Sequence, residues 1–83
     1  MIVDEKSFSL EEKAFLTLQE EILSGVLKKG EALTENTLSE RLGVSRTPIR
    51  GALHRLAEDG LVKIVPNRGA VVIGIDRQDL IDI

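Results

Sequence analysis

From Leu10 to Ile22 the apolar residues Leu10, Ala14, Phe15, Leu18 and Ile22 return at helical spacing, the stripe of an amphipathic helix. Ser9 precedes that stripe as an N-cap residue, and Glu12, three positions on, completes a capping-box pattern. Gly25 ends the helix. On this reading residues 1–8 are a disordered acidic leader. Residues 25–33 are a connector with Val26, Leu27 and Leu33 anchored in the core.

Two further helices follow, separated by very little chain. Thr34 caps a short helix from about Glu35 to Leu42, with Thr37 as an alternative start. Gly43 accepts a positive φ without a Cβ penalty, and Ser45 caps the next helix through its hydroxyl. Pro48 falls in that helix's first turn, where no intrahelical N–H is needed. The helix runs to about Asp59, with Gly60 just beyond it. Counting Glu35 as position 1, positions 4, 8, 10, 15 and 18 are the apolar Leu38, Leu42, Val44, Ile49 and Ala52. Position 5 is the small Ser39 and position 9 is Gly43, as two helices crossing steeply through a tight turn require.

On a helical wheel Ile49, Ala52, Leu53 and Leu56 fall together and face the core, with Ala57 at their edge. Arg46, Thr47, Arg50 and His54 fall within an adjacent arc of about 100°. A solvated helix face usually mixes Glu and Lys. This one is Arg, Thr and His, and it begins at the helix start, the end that helix-turn-helix modules present to base edges.

After Gly60 the period changes. Leu61–Val65 and Ala70–Ile73 read as β-strands joined by the turn Pro66-Asn67-Arg68-Gly69, a hairpin that must pack on the helices to be stable. Arg68 and Asn67 at its tip are placed to reach phosphate or a narrow minor groove. From Asp76 an N-cap and the apolar Leu80, Ile81 and Ile83 begin another helix, read as the start of a linker towards a further domain. The domain itself is then residues 9–75, with residues 76–83 opening that linker.

Composition narrows the reading. Among 83 residues the only aromatics are Phe8 and Phe15, which argues against the stacking platforms of single-strand binders. There is no cysteine and one histidine, so thiolate metal sites and disulfides are excluded and no cofactor is expected. No apolar run approaches a membrane span and no signal-peptide pattern is present, so the expected location is the cytoplasm, away from membranes. The net charge of −3 is unevenly spread: residues 1–40 carry −5, residues 41–69 carry +4 and residues 70–83 carry −2. The positive segment is the one that holds the helix-turn-helix and the hairpin tip.

The ordered set Ile22-Leu23-Ser24-Gly25, Gly30-Glu31-Ala32-Leu33-Thr34-Glu35, Leu38–Arg50, Ala52-Leu53, Leu56, Asp59-Gly60-Leu61-Val62 and Pro66-Asn67-Arg68-Gly69 resembles the N-terminal domain of GntR-type bacterial transcription regulators, most closely the FadR-like branch. The match spans about residues 9–80. The resemblance implies a mainly α fold with a small β-hairpin, a winged helix-turn-helix. It further implies a homodimer in the full-length protein, an inverted-repeat operator in double-stranded DNA, repression, and a small-molecule effector bound by a C-terminal domain. By position, Arg46 and Arg50 match base-contacting arginines, and Ser45 and Thr47 match contacts at the helix start. Asn67-Arg68-Gly69 matches the minor-groove element. Asn36 stands where the family often has a DNA-contacting arginine, Lys29 where it has proline, and Gly51 where it has glutamate.

The expected DNA-binding set is therefore Asn36, Ser45, Arg46, Thr47, Arg50, His54, Asn67, Arg68 and Gly69. The alternative use of the same module is protein–protein contact, with the arginines docking on an acidic partner. An enzyme is not expected, because His54 is the only histidine and lies amid arginines.

Overall fold

Glu and Lys are good helix formers, and they carry the first helix upstream of the Ser9 cap expected from sequence. In the computed structural model, which describes residues 5–74, α1 spans Glu5–Ser24. Ser9 therefore lies inside a helix rather than at its end, and residues 5–8 belong to α1 rather than to a leader. The expected helix after Asp76 falls outside the described residues.

The next boundaries follow the local signals. α2 spans Glu35–Leu42, and the Thr34 hydroxyl accepts the Thr37 N–H at 3.1 Å. Gly43 adopts the left-handed conformation (φ 71°), which turns the chain within three residues into α3, Arg46–Glu58. The N–H groups of Gly43 and Val44 both return to the Ser39 carbonyl, and the Ser39 hydroxyl donates to the Val44 carbonyl. Ser45 has the extended backbone of a cap, but its side chain makes no cap hydrogen bond, contrary to expectation. The bonds around Ser39 already fix the turn, so the Ser45 hydroxyl is not needed to close it.

α3 ends in a Schellman motif, with Gly60 N–H bonded to the Ala57 carbonyl and Leu61 N–H to that of Leu56. Strands β2 (Val62–Val65) and β3 (Gly69–Val72) form the antiparallel hairpin, pairing Val62 with Val72 and Val65 with Gly69. A third strand was not expected. β1, Ala32–Leu33, adds to the far side of β3 with Ala32 opposite Val71 and Leu33 opposite Ala70, giving the order β1-β3-β2. Two residues are too few to show a strand period, so this element reads as connector.

The core lies where α1 crosses α3 and the sheet closes one end. Leu18, Ile49, Leu53, Leu56, Val62 and Val72 are its largest fully buried side chains. Leu27 and Leu33 are buried as expected, but Val26 is 63% exposed. The turn after α1 brings the Leu27 N–H back to the Glu21 carbonyl, which puts Leu27 inward and leaves its neighbour outside. Among the described residues no helix is long and apolar enough to cross a membrane.

Gly51, in the middle of α3, faces α1. A Cβ built there would meet the terminal carboxyl atoms of Glu11, with Oε1 at 2.2 Å. Those atoms end a flexible, partly exposed side chain, so they can swing away. Gly51→Ala is expected to stabilise the domain by roughly 0.5–1 kcal/mol through helix propensity. Thermal unfolding should shift up by a few degrees, on the scale of about 4–8 °C per kcal/mol. A lower midpoint would mean that Glu11 is locked in place.

Candidate nucleic-acid interface

The segregation of side chains on α3 places its polar face. Ile49, Ala52, Leu53 and Leu56 are buried against α1 and the sheet, which leaves Arg46, Thr47, Arg50 and His54 exposed on the outside. α2 meets α3 through the short turn, so its first residues lie beside the first turn of α3. Asn36 accepts a hydrogen bond from Arg46 across this junction at 3.3 Å. The hairpin stands on the other side, with Asn67 at its tip in a left-handed conformation (φ 63°) that asparagine tolerates better than most residues.

Between helix ends and hairpin tip lies an open concavity of about 730 Å³. Seven of the nine residues expected from sequence line it: Asn36, Arg46, Arg50, His54, Asn67, Arg68 and Gly69. Ser45 and Thr47 are exposed at the start of α3 but lie outside the concavity. The first N–H groups of any helix lack intrahelical partners, so those at the start of α3 offer donors next to the arginines.

Gly69 is built into the structure for a steric reason. Its φ is +88°, and a Cβ there would lie 2.2 Å from the Leu33 carbonyl oxygen and 3.0 Å from the Cα of Thr34. β1 passes so close to the base of the wing that only glycine fits.

The electrostatics differ from the sum over segments. Arg55 is pinned to α1, with its Nη1 2.7 Å from Glu12 and its guanidinium 4.1 Å above the centroid of Phe15. Arg41 pairs with Glu21, also on α1. These two cations hold α1 against the helix-turn-helix rather than facing a ligand. Lys63 and Arg68 make no ion pair among the described residues.

The residue that sequence reading passed over is Glu35, noted there only as the start of a helix. Its carboxylate takes two bonds from Arg50, Nε at 2.9 Å and Nη2 at 3.0 Å, in the bidentate geometry typical of guanidinium and carboxylate. These hydrogen bonds, aided by the charges of Arg50, Arg46 and His54, hold the Glu35 carboxyl below its usual range despite some desolvation. Any stability from the pair is thus present above the ordinary carboxylate pKa and is lost as pH falls through the lowered one. At neutral pH the pair is intact. The two residues are fifteen positions apart, and only the crossing of α2 and α3 brings them together.

Known proteins share this sequence pattern and this fold. Residues 10–72 match the family model described as bacterial regulatory proteins, gntR family. An uncharacterized HTH-type transcriptional regulator in an unstable DNA locus of Streptomyces ambofaciens is 41% identical over 68 residues, 82% of this chain and 29% of that protein. The gluconate operon transcriptional repressor of Bacillus subtilis (strain 168) is 38% identical over 66 residues, 80% of this chain and 27% of that protein. Among solved structures, a GntR-family transcriptional regulator from Pseudomonas syringae pv. tomato str. DC3000 aligns with a TM-score of 0.75 at 33% identity, covering 88% of this chain and 31% of that one. The chain thus spans under a third of the length of these relatives. The family match runs through both helices of the turn and the hairpin, and the shared fold is that of transcription regulators rather than enzymes: this chain belongs to the gntR family of bacterial regulatory proteins, as a winged helix-turn-helix DNA-binding domain.

Proposed function

We propose that α3 enters the major groove of double-stranded DNA while the turn Pro66–Gly69 lies at the adjacent minor groove, and that the concavity between them receives the intervening sugar–phosphate strand. The single observation that carries this reading is the gathering of Arg46, Arg50, His54 and Arg68 around one open concavity. Arg46 and Arg50 take the role of base readers, since a guanidinium matches guanine O6 and N7 bidentately. Ser45, Thr47 and the free N–H groups beside them contact phosphate, as helix starts do. Asn36 supports Arg46 rather than replacing an arginine contact, because its carboxamide oxygen already accepts from that guanidinium. Asn67 and Arg68 hold the wing at the minor groove.

At the level of the whole protein, this domain serves a cytoplasmic, dimeric, metabolite-responsive repressor acting at an inverted repeat. The name of the Bacillus subtilis relative supports repression. Two copies of one domain related by a two-fold axis favour a palindromic site. The effector and the dimer interface are assigned to the part of the protein that relatives carry beyond this domain.

An amide NMR titration of the labelled chain with a mixed-sequence duplex at low salt tests the placement. Shifts are expected at residues 45–54 and 67–69, reversed by added salt with a log–log slope set by the phosphates neutralised. An unperturbed spectrum at millimolar duplex, or shifts confined to α1, would overturn it in favour of a protein-contact surface.

A further inference from the structure

The chain holds one side chain whose ordinary titration falls between about pH 5 and 8, and it lines the concavity. His54 is exposed on α3, one turn beyond Arg50 and one turn before Glu58. Arg46 and Arg50 from its own helix, Glu35 from α2 and Arg68 from the hairpin line the same space. The carboxylates of α1 lie elsewhere: Glu11 meets Gly51 and Glu12 holds Arg55, on the flank of α3 turned towards α1. Glu35 is the only acid among the described residues lining the concavity, and Arg50 engages both of its oxygens. Within that space no carboxylate is left over for His54. An imidazolium there therefore gains its counter-charge from whatever enters the concavity.

We propose that His54 is a proton-linked phosphate contact: it takes up a proton as the sugar–phosphate strand enters the concavity, so that DNA affinity rises as pH falls through neutrality. A neutral imidazole offers a phosphate oxygen one N–H donor, whereas the imidazolium offers two and carries a charge. The strand thus binds the protonated form more tightly, and by linkage the bound state holds more protons than the free state. The sign follows directly. Binding that takes up protons is strengthened by lowering the pH and weakened by raising it. No other lining group competes in this window, because arginines stay charged throughout it and Arg50 holds the Glu35 carboxyl below its usual range, further from neutrality. The inference rests on the proposed placement of DNA in the concavity, and the test separates the two.

Fluorescence anisotropy with a mixed-sequence duplex, at fixed low ionic strength, compares the unmodified chain with His54→Gln and His54→Lys from about pH 8 down to about pH 6. The unmodified chain is expected to gain roughly tenfold in affinity over that range, the effect of one phosphate charge beside one imidazole. His54→Gln should lose that dependence and bind at every pH as weakly as the unmodified chain does at the alkaline end. His54→Lys, charged throughout, should bind tightly and without the dependence. NMR titration of the His54 ring in the unmodified chain gives an independent reading, in which the midpoint should move to higher pH when the duplex is added. An equal pH dependence in the unmodified chain and His54→Gln overturns the inference, as does a ring midpoint that the duplex leaves unmoved or lowers. Absence of binding by the unmodified chain at any pH overturns the placement of DNA itself, and the inference with it.

Discussion

Gly69→Ala is expected to cost this domain a large share of its stability. Two independent penalties meet at one atom. Alanine in the left-handed region costs about 1–2 kcal/mol, and its Cβ would sit 2.2 Å from the Leu33 carbonyl oxygen, a backbone atom that cannot rotate away. Relief requires β1 and β3 to part, which strains the pairing of Leu33 with Ala70; forced overpacking of this kind adds roughly 1–3 kcal/mol. A domain of this length has a total stability of only about 4–12 kcal/mol. The thermal midpoint should therefore fall by on the order of 10–30 °C. Gly43→Ala supplies the control, because Gly43 is also left-handed (φ +71°) but nothing lies within 4 Å of its would-be Cβ. Circular dichroism melts of the two variants isolate the steric part. Equal shifts would mean that β1 does not constrain the wing.

Arg50→Ala and Arg68→Ala should weaken DNA binding in distinguishable ways. Removing a bidentate guanine reader costs about 1–3 kcal/mol on the preferred sequence and little on others, so Arg50→Ala compresses the ratio between preferred and scrambled duplexes. Arg68 stands at the wing tip and makes no ion pair among the described residues. Its loss should lower affinity for all duplexes by a similar factor and reduce the salt slope by about one. Fluorescence anisotropy on both duplexes at several salt concentrations reads out both quantities. Sequence-blind losses of equal size for the two variants would show that no division of labour exists between helix and wing.

Much of this architecture was legible in the chain because its signals are short-range. Thr34 before Glu35, Gly43 after Leu42 and Gly60 after α3 each act within a few residues, and the observed boundaries fall there. The polar face of α3 was legible for the same reason, since one helix's period fixes which residues share a side. Signals that compete locally were read less well. Ser9 has the chemistry of a cap, yet the helix formers upstream continue α1 through it. Val26 is as apolar as Leu27, and only the turn geometry decides which of them is buried. What depends on tertiary approach left no local trace. The two-residue β1, the contact that forbids a side chain at Gly69 and the Glu35–Arg50 pair all join segments distant in sequence. The same holds for charge, because counting residues 41–69 as a positive block overlooks the carboxylates of α1 that neutralise Arg41 and Arg55.

That neutralisation sets the kinetics of the search for a site. A chain with net charge −3, whose arginines are partly paired in advance, enters the field of DNA with little long-range pull. Capture by the domain alone is then expected to be slow compared with a strongly basic domain, and its residence on unmatched DNA brief. On its own, such a domain is expected to sample DNA by many short visits rather than by long slides.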